Sequence, residues 1–313
     1  MKKFYVFAAV AIAALASCTK SEVVYNQGQQ EIGFRQFTGS MTKAEGTNLS
    51  DLDGGPETMG VFAHIWNSTN EEKVYFSNAK FVKPESGNSW GGDPKRYWPL
   101  KNELDFTVYA PWVEGTTYTH SSSSPELAVT VANNTDNQYD FLYGKQRYIQ
   151  VEKTSNAVSV VLKHALSKLS FQVKSNVSDL FKITNVELVD AVQDGSFKVI
   201  YGYETSIAVT TGAIKGTCDV FDGNCVVKND AYSPLGSKLV FPIGGPQNEA
   251  KLRITYNMES ATGLVATVPF TNQSWDSGKH YIYNLEINAT EILLSPTVED
   301  WDEMTVEDPI TIS

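Results

Sequence analysis

The chain has 313 residues, a length that fits about two domains. Apolar residues make up 42% and charged residues only 19%, which leaves enough apolar surface for real cores and excludes a disordered chain. The net charge of −11, with no basic patch to offset it, excludes nucleic acid and anionic membrane surfaces as partners. Frequent aromatics, with many Thr, Val and Ser and no Ala/Leu/Glu/Lys-rich blocks, favour strands over helices. Three cysteines are too few for a disulfide-built scaffold or a zinc array.

Lys2 and Lys3 precede an unbroken apolar run from Phe4 to Leu15. That run is too short to span a bilayer and the right length for a signal-peptide core. It ends in Leu15-Ala16-Ser17-Cys18, a lipobox pattern in which Cys18 is lipidated and becomes the first mature residue. Several acyl chains on one residue, at about 0.8 kcal/mol per buried CH₂, make a durable anchor. The competing reading is an ordinary signal peptide cut near Ala16. No other stretch approaches the apolar length of a transmembrane helix, so the expected contact with a membrane is by lipid anchor only.

Residues 18–30 are polar and aperiodic, and read as a tether. A short alternating piece follows, with Ile32 and Phe34 on one face and Phe37 beyond, and then a polar loop from Gly39 to Ser50. Strand-like runs are predicted over Met59–Trp66, Val74–Val82 and Leu104–Pro111, the last with Leu104, Phe106, Val108 and Ala110 on one face. Gly/Pro/Ser-rich turn clusters separate them, as in a sandwich or barrel. Ala157 to Val173 predicts one or two strands, with a helix competing over His164–Leu169. Further strands are predicted at Ile183–Ala191, Leu239–Ile243, Leu252–Met258, Leu264–Phe270 and around Tyr281–Asn288. The polar stretch Gln150–Asn156 marks the domain junction, giving an N-terminal unit over 44–153 and a C-terminal unit over 154–313.

Cys218 and Cys225 flank Asp222-Gly223, a hairpin-turn signal. Two strands joined there would bring the thiols within disulfide reach, and export permits oxidation; two free thiols are the other reading. At the end of the chain Met304, Val306, Asp308, Ile310 and Ile312 share one face at strict period two, and all but Asp308 are apolar. A terminus does not ordinarily need an apolar ladder, whereas a strand inserted into another subunit does. Four such side chains buried at about 1.5–3 kcal/mol each give a gross gain of roughly 6–12 kcal/mol before ordering costs. An intramolecular edge strand is the alternative, and Pro309 suits an edge in either case.

Several segments, in order, make the chain similar to the fimbrillin family, the Mfa-like pilins of type V pili. They are the lipobox at Cys18, Thr42-Lys43-Ala44, Tyr97-Trp98-Pro99, Leu104-Asp105-Phe106, Tyr109-Ala110-Pro111 and Asp140-Phe141-Leu142-Tyr143-Gly144. Leu162 to Leu169, Trp275 to Leu285 and Val298-Glu299-Asp300-Trp301 complete the series. The resemblance implies an all-β protein of two tandem β-sandwich domains with transthyretin-like topology and little helix. It implies export as an outer-membrane lipoprotein, trimming by a processing protease, and display at the cell surface in a pilus built by strand donation. Other pilus subunits are then the expected partners, with a host or bacterial surface receptor. In the family the first strand, here Ile32 and Phe34, fills a groove and is cut away after a basic residue. Lys43-Ala44 matches that step; Arg35 is the alternative site but lies inside the strand. Met304, Val306, Ile310 and Ile312 are the expected donor residues.

No catalytic motif is present: there is no G-x-S-x-G, H-E-x-x-H, P-loop or G-x-G-x-x-G. His64, His120, His164 and His280 are widely spaced, so no metal, cofactor or enzymatic activity is expected. Tyr97, Trp98 and Trp112 suit either a sandwich core or a sugar-stacking platform on a tethered glycan-binding protein.

Overall fold

The computed structural model describes residues 30–35, 38–39, 57–66, 73–83, 89–99, 102–120, 124–131, 140–149, 157–175, 181–229, 231–245, 248–258, 261–270, 272–287, 292–301 and 304–305. Among these residues the chain is almost all strand, with no α-helix. In chain order the first half forms β1 (Gly33–Arg35), β2 (Thr38–Gly39), β3 (Thr58–Trp66), β4 (Lys73–Val82), β5 (Ser89–Gly92), β6 (Glu103–Ala110), β7 (Thr117–Thr119), β8 (Glu126–Val131) and β9 (Leu142–Ile149). The chain continues through β10 (Lys163–His164), β11 (Ser167–Ser175), β12 (Lys182–Val192), β13 (Gly195–Tyr201), β14 (Thr205–Thr211), β15 (Lys215–Val226) and β16 (Ser233–Val240). It ends with β17 (Lys251–Met258), β18 (Ala261–Pro269), β19 (Lys279–Ile287), β20 (Ile292–Asp300) and β21 (Met304–Thr305).

The largest sheet has the order β1-β5-β4-β3-β6-β9-β10. Both of its faces are covered, and central β6 shows why. Leu104, Phe106, Val108 and Ala110 enter one core, while Tyr109 enters another. The first core also holds Ile32, Phe34, Phe81, Trp90 and Trp98. The other face of the sheet packs against a four-stranded sheet of order β14-β13-β8-β7. A second sandwich follows in the C-terminal half. Its sheets, β16-β11-β19-β20 and β15-β12-β17-β18, enclose Leu169, Phe171, Ile183, Leu188, Phe270, Trp275 and Tyr283.

Two segments cross between the halves. Residues 157–164, which the sequence places at the start of the second unit, put Val158, Val160 and Leu162 into the first core. Val161 between them is exposed, the alternation of a half-buried extended segment. No helix forms over 164–169: the chain turns at Ala165-Leu166 and enters β11. Hairpin β13–β14 returns to pair with β8, with Phe197 opposite Val129. Its Phe197 ring stacks between Phe141 and Phe241 at 5.2 and 5.4 Å, so one aromatic column ties both halves.

Gly144 explains part of this path. A Cβ there would lie 2.2 Å from the Val161 carbonyl oxygen, so only glycine lets the 160–162 segment cross β9 so closely.

Candidate functional site

The expected removable strand lies inside the first core. Ile32 and Phe34 are fully buried at the seam of the large sheet. On one side β1 pairs antiparallel with β5, placing Phe34 opposite Trp90 and Gly33 opposite Gly91. The backbone before β1 continues this edge. Ile32 N–H donates to Arg96 O at 2.7 Å, and Trp98 N–H donates to Gln30 O at 2.9 Å. On the other side Phe34 bridges Val158 in parallel, and Val158 N–H donates to Gly33 O at 2.7 Å. Residues 157–164 thus span the gap between β9 and β1. The Phe34 ring meets Phe81 and Phe106 edge-on at 5.1 and 5.3 Å. Burying Ile32 and Phe34 contributes roughly 3–6 kcal/mol, all from one strand of a few residues. Outside the seam, Glu31 pairs with Lys95 at 2.9 Å in an exposed position, which guides register more than it stabilises.

At the other end of the chain, β20 forms the edge of its sheet beside β19. Trp301 N–H then donates to Gly278 O at 2.9 Å, and its ring stacks on His164 at 3.6 Å. His164 Nδ1 is hydrogen-bonded to Asp140 Oδ2, and both groups are buried. Four of the quoted segments therefore converge here: Asp140, His164, Gly278 and Trp301 come from the DFLYG, LKHALSKL, WDSGKHYIYNL and VEDW runs. No local sequence signal joins these residues; tertiary packing does. Beyond Trp301, β21 pairs with β2, Met304 opposite Gly39 and Thr305 opposite Thr38. The last described strand therefore pairs with a segment that follows β1 by a few residues. Arg35 lies in β1 opposite Ser89. Cys18, Phe37, Lys43, Ala44, Val306, Ile310 and Ile312 lie outside the described residues.

The cysteine expectation is corrected. Asp222-Gly223 makes no turn; β15 runs through it unbroken, and both thiols are free. Seven residues of one strand separate the Cα atoms by about 20 Å, far beyond disulfide reach. The register against β12 slips between Ile183 and Asn185 and again between Val186 and Glu187. These irregularities absorb the Asp-Gly pair as a bulge. The slip between Val186 and Glu187 also shifts the inward phase between Val220 and Phe221, so Cys218 is buried in the second core and Cys225 packs at its margin despite their odd spacing. Burial pushes both thiols above the usual range, away from reactive thiolate.

A polar cluster fills part of the other face of the large sheet. Lys145 Nζ bonds Asp105 at 3.0 Å and Tyr118 Oη at 2.9 Å. His64 lies beside the Tyr118 and His120 rings. Burial, then His120 and Lys145, push its pKa down to about 4. Among the described residues no group of three or more His, Cys, Asp or Glu is placed to hold a metal ion. The tryptophans weighed as a sugar platform divide: Trp98 is core, edge-on to Phe106, while Trp112 is partly buried with its Nε1 donating to Asn78 O at 3.1 Å.

The chain matches the fimbrillin-like family over residues 42–301 and belongs to it. Among solved structures it is similar to a fimbrial protein from Bacteroides vulgatus, at 18% identity and TM-score 0.57, covering 87% of this chain and 99% of that one. A candidate cell adhesion protein from Bacteroides ovatus gives 18% identity and TM-score 0.57, over 90% of this chain and 100% of that one. A candidate cell adhesion protein from Bacteroides uniformis gives 16% and 0.54, over 88% and 98%. At these identities the likeness establishes the all-β sandwich fold. No curated protein matches the chain by sequence. Family membership makes this a structural protein of the cell-surface pilus or of adhesion rather than an enzyme.

Proposed function

We propose that the chain is a structural subunit of a type V pilus, exported as an outer-membrane lipoprotein through Cys18 and trimmed at Lys43-Ala44, with Arg35 the alternative site. Trimming frees the strand carrying Ile32 and Phe34. A donor strand from the next subunit then takes its place, with Met304, Val306, Ile310 and Ile312 as the donor residues of this chain. Other pilus subunits and a processing protease are the partners, with a surface receptor on a host or bacterial cell. Two sandwich units of transthyretin-like topology belong to the same reading, with residues 157–164 and hairpin β13–β14 assigned to the first unit rather than to a second unit beginning at 154.

One observation carries it: a strand outside the family-matched span fills the core with two fully buried side chains and is hydrogen-bonded along both edges. Losing such a strand leaves unpaired backbone and an apolar slot, which a second strand of the same period repairs. Deleting Met304–Ser313 tests donation. A folded monomer that forms no high-mass polymers is expected, and polymers that survive the deletion would count against the mechanism. N-terminal sequencing of protein sheared from cells tests trimming; a mature end still at Cys18 would refute it.

A further inference from the structure

The slot held by β1 has a distinct shape along its length. Ile32 occupies an aliphatic position, Gly33 one that faces the Ser89 side chain, and Phe34 an aromatic one. A Cβ at Gly33 would stand 2.3 Å from Ser89 Oγ. Two positions of the same phase are fully buried, and the second is an aromatic box: Phe81 and Phe106 meet the Phe34 ring edge-on, with buried Trp90 and Val158 as its backbone neighbours. Edge-to-face pairs of this kind add stabilisation beyond the area they bury, and an aliphatic side chain forfeits it while leaving a void.

The chain's own donor segment does not match this shape. Only two registers place apolar residues of one face at both buried positions: Met304 with Val306, or Ile310 with Ile312. For a donor running in the direction of β1, either puts a β-branched aliphatic residue where Phe34 sits. The segment from Met304 to Ser313 contains no aromatic residue and no glycine.

We propose that the slot selects a strand from a different pilus subunit, with an aliphatic residue at the first buried position and an aromatic one at the second, over the donor strand of a second copy of this chain. The inference rests on the strand-exchange reading above and names its partner. This chain is then a poor acceptor for itself, and its place is in a mixed polymer.

The test uses the full chain with a specific protease site inserted after Lys43. After cleavage the first strand is held by non-covalent contacts alone. A fluorescent peptide of residues 28–36 serves as reporter, and unlabelled peptides compete with it in an anisotropy assay. The 304–313 peptide is expected to compete about tenfold less well than its better aromatic variant, V306F or I312F. Variants T305F and T311F, whose rings fall on the outward face, are expected to gain nothing. Equal competition by the wild-type and aromatic peptides, or an equal gain from the outward-face variants, overturns the proposed selectivity while strand exchange stands. If the cleaved protein exchanges its strand with no peptide, including unlabelled 28–36, strand exchange itself fails and the selectivity with it.

Discussion

Replacing Phe34 by alanine isolates what the first strand contributes to the core. The ring is fully buried and has edge-on partners at 5.1 and 5.3 Å. Losing its burial costs about 1.5–3 kcal/mol, and losing two aromatic pairs about 0.5–1.5 kcal/mol each. The sum agrees with the roughly 3–5 kcal/mol typical of buried Phe→Ala changes. The ladder bonds of the strand need no side chain, so the fold should survive while the strand opens more often. Amide hydrogen exchange reads this locally. Val158 N–H and Trp98 N–H donate to Gly33 and Gln30, and a loss of 3–5 kcal/mol raises their exchange by roughly two to nearly four orders of magnitude. Amides of β11 and β19, in the other sandwich, should stay protected. Exchange at Val158 and Trp98 that rises less than about tenfold, or rises equally in β11, would refute the reasoning. Glu31→Ala is the control, since its exposed pair with Lys95 should leave both amides unchanged.

Gly144→Ala should destabilise the protein by about 1–3 kcal/mol or more in urea unfolding, because the new methyl meets a backbone oxygen that cannot rotate away. Alkylation without reductant, followed by mass spectrometry, should label both Cys218 and Cys225, with Cys218 slower because it is the more deeply buried. A mass gain on either cysteine that appears only after reduction would overturn that assignment. NMR titration of His64 should give a midpoint near pH 4, well below that of a free imidazole. Because the folded pKa lies below the unfolded one, the stability linked to His64 is complete above about pH 6.5. It falls as pH drops toward 4, and His64→Phe should flatten the slope across that window.

Much of the strand pattern was legible because burial imposes a period of two. Leu104, Phe106, Val108 and Ala110 do share a face of β6, and Tyr281, Tyr283, Leu285 and Ile287 are the buried residues of β19. The same logic found Ile32 and Phe34, whose alternation needs no partner to be recognised. It failed where one local signal fits two structures. Asp222-Gly223 suits a hairpin and a bulge equally, and the pairing of β15 along the whole of β12 decided for the bulge. It was silent where contacts are remote. Nothing near Val158 announces Gly33 as its partner, and nothing near Trp301 announces the buried Asp140–His164 pair.

The sequence by itself determined the all-β character, the identity of the two buried residues in the first strand, and the apolar ladder at the end. Each follows from side-chain alternation and composition, which are local. Only the tertiary structure decided that residues 157–164 close the first core, that β13–β14 crosses to pair with β8, and that Phe34 sits in a box of aromatic rings. These depend on which strands become neighbours. A strand's period says which face is buried but not what covers it, because backbone pairing is the same for every residue and the choice of partner is made by the whole core at once.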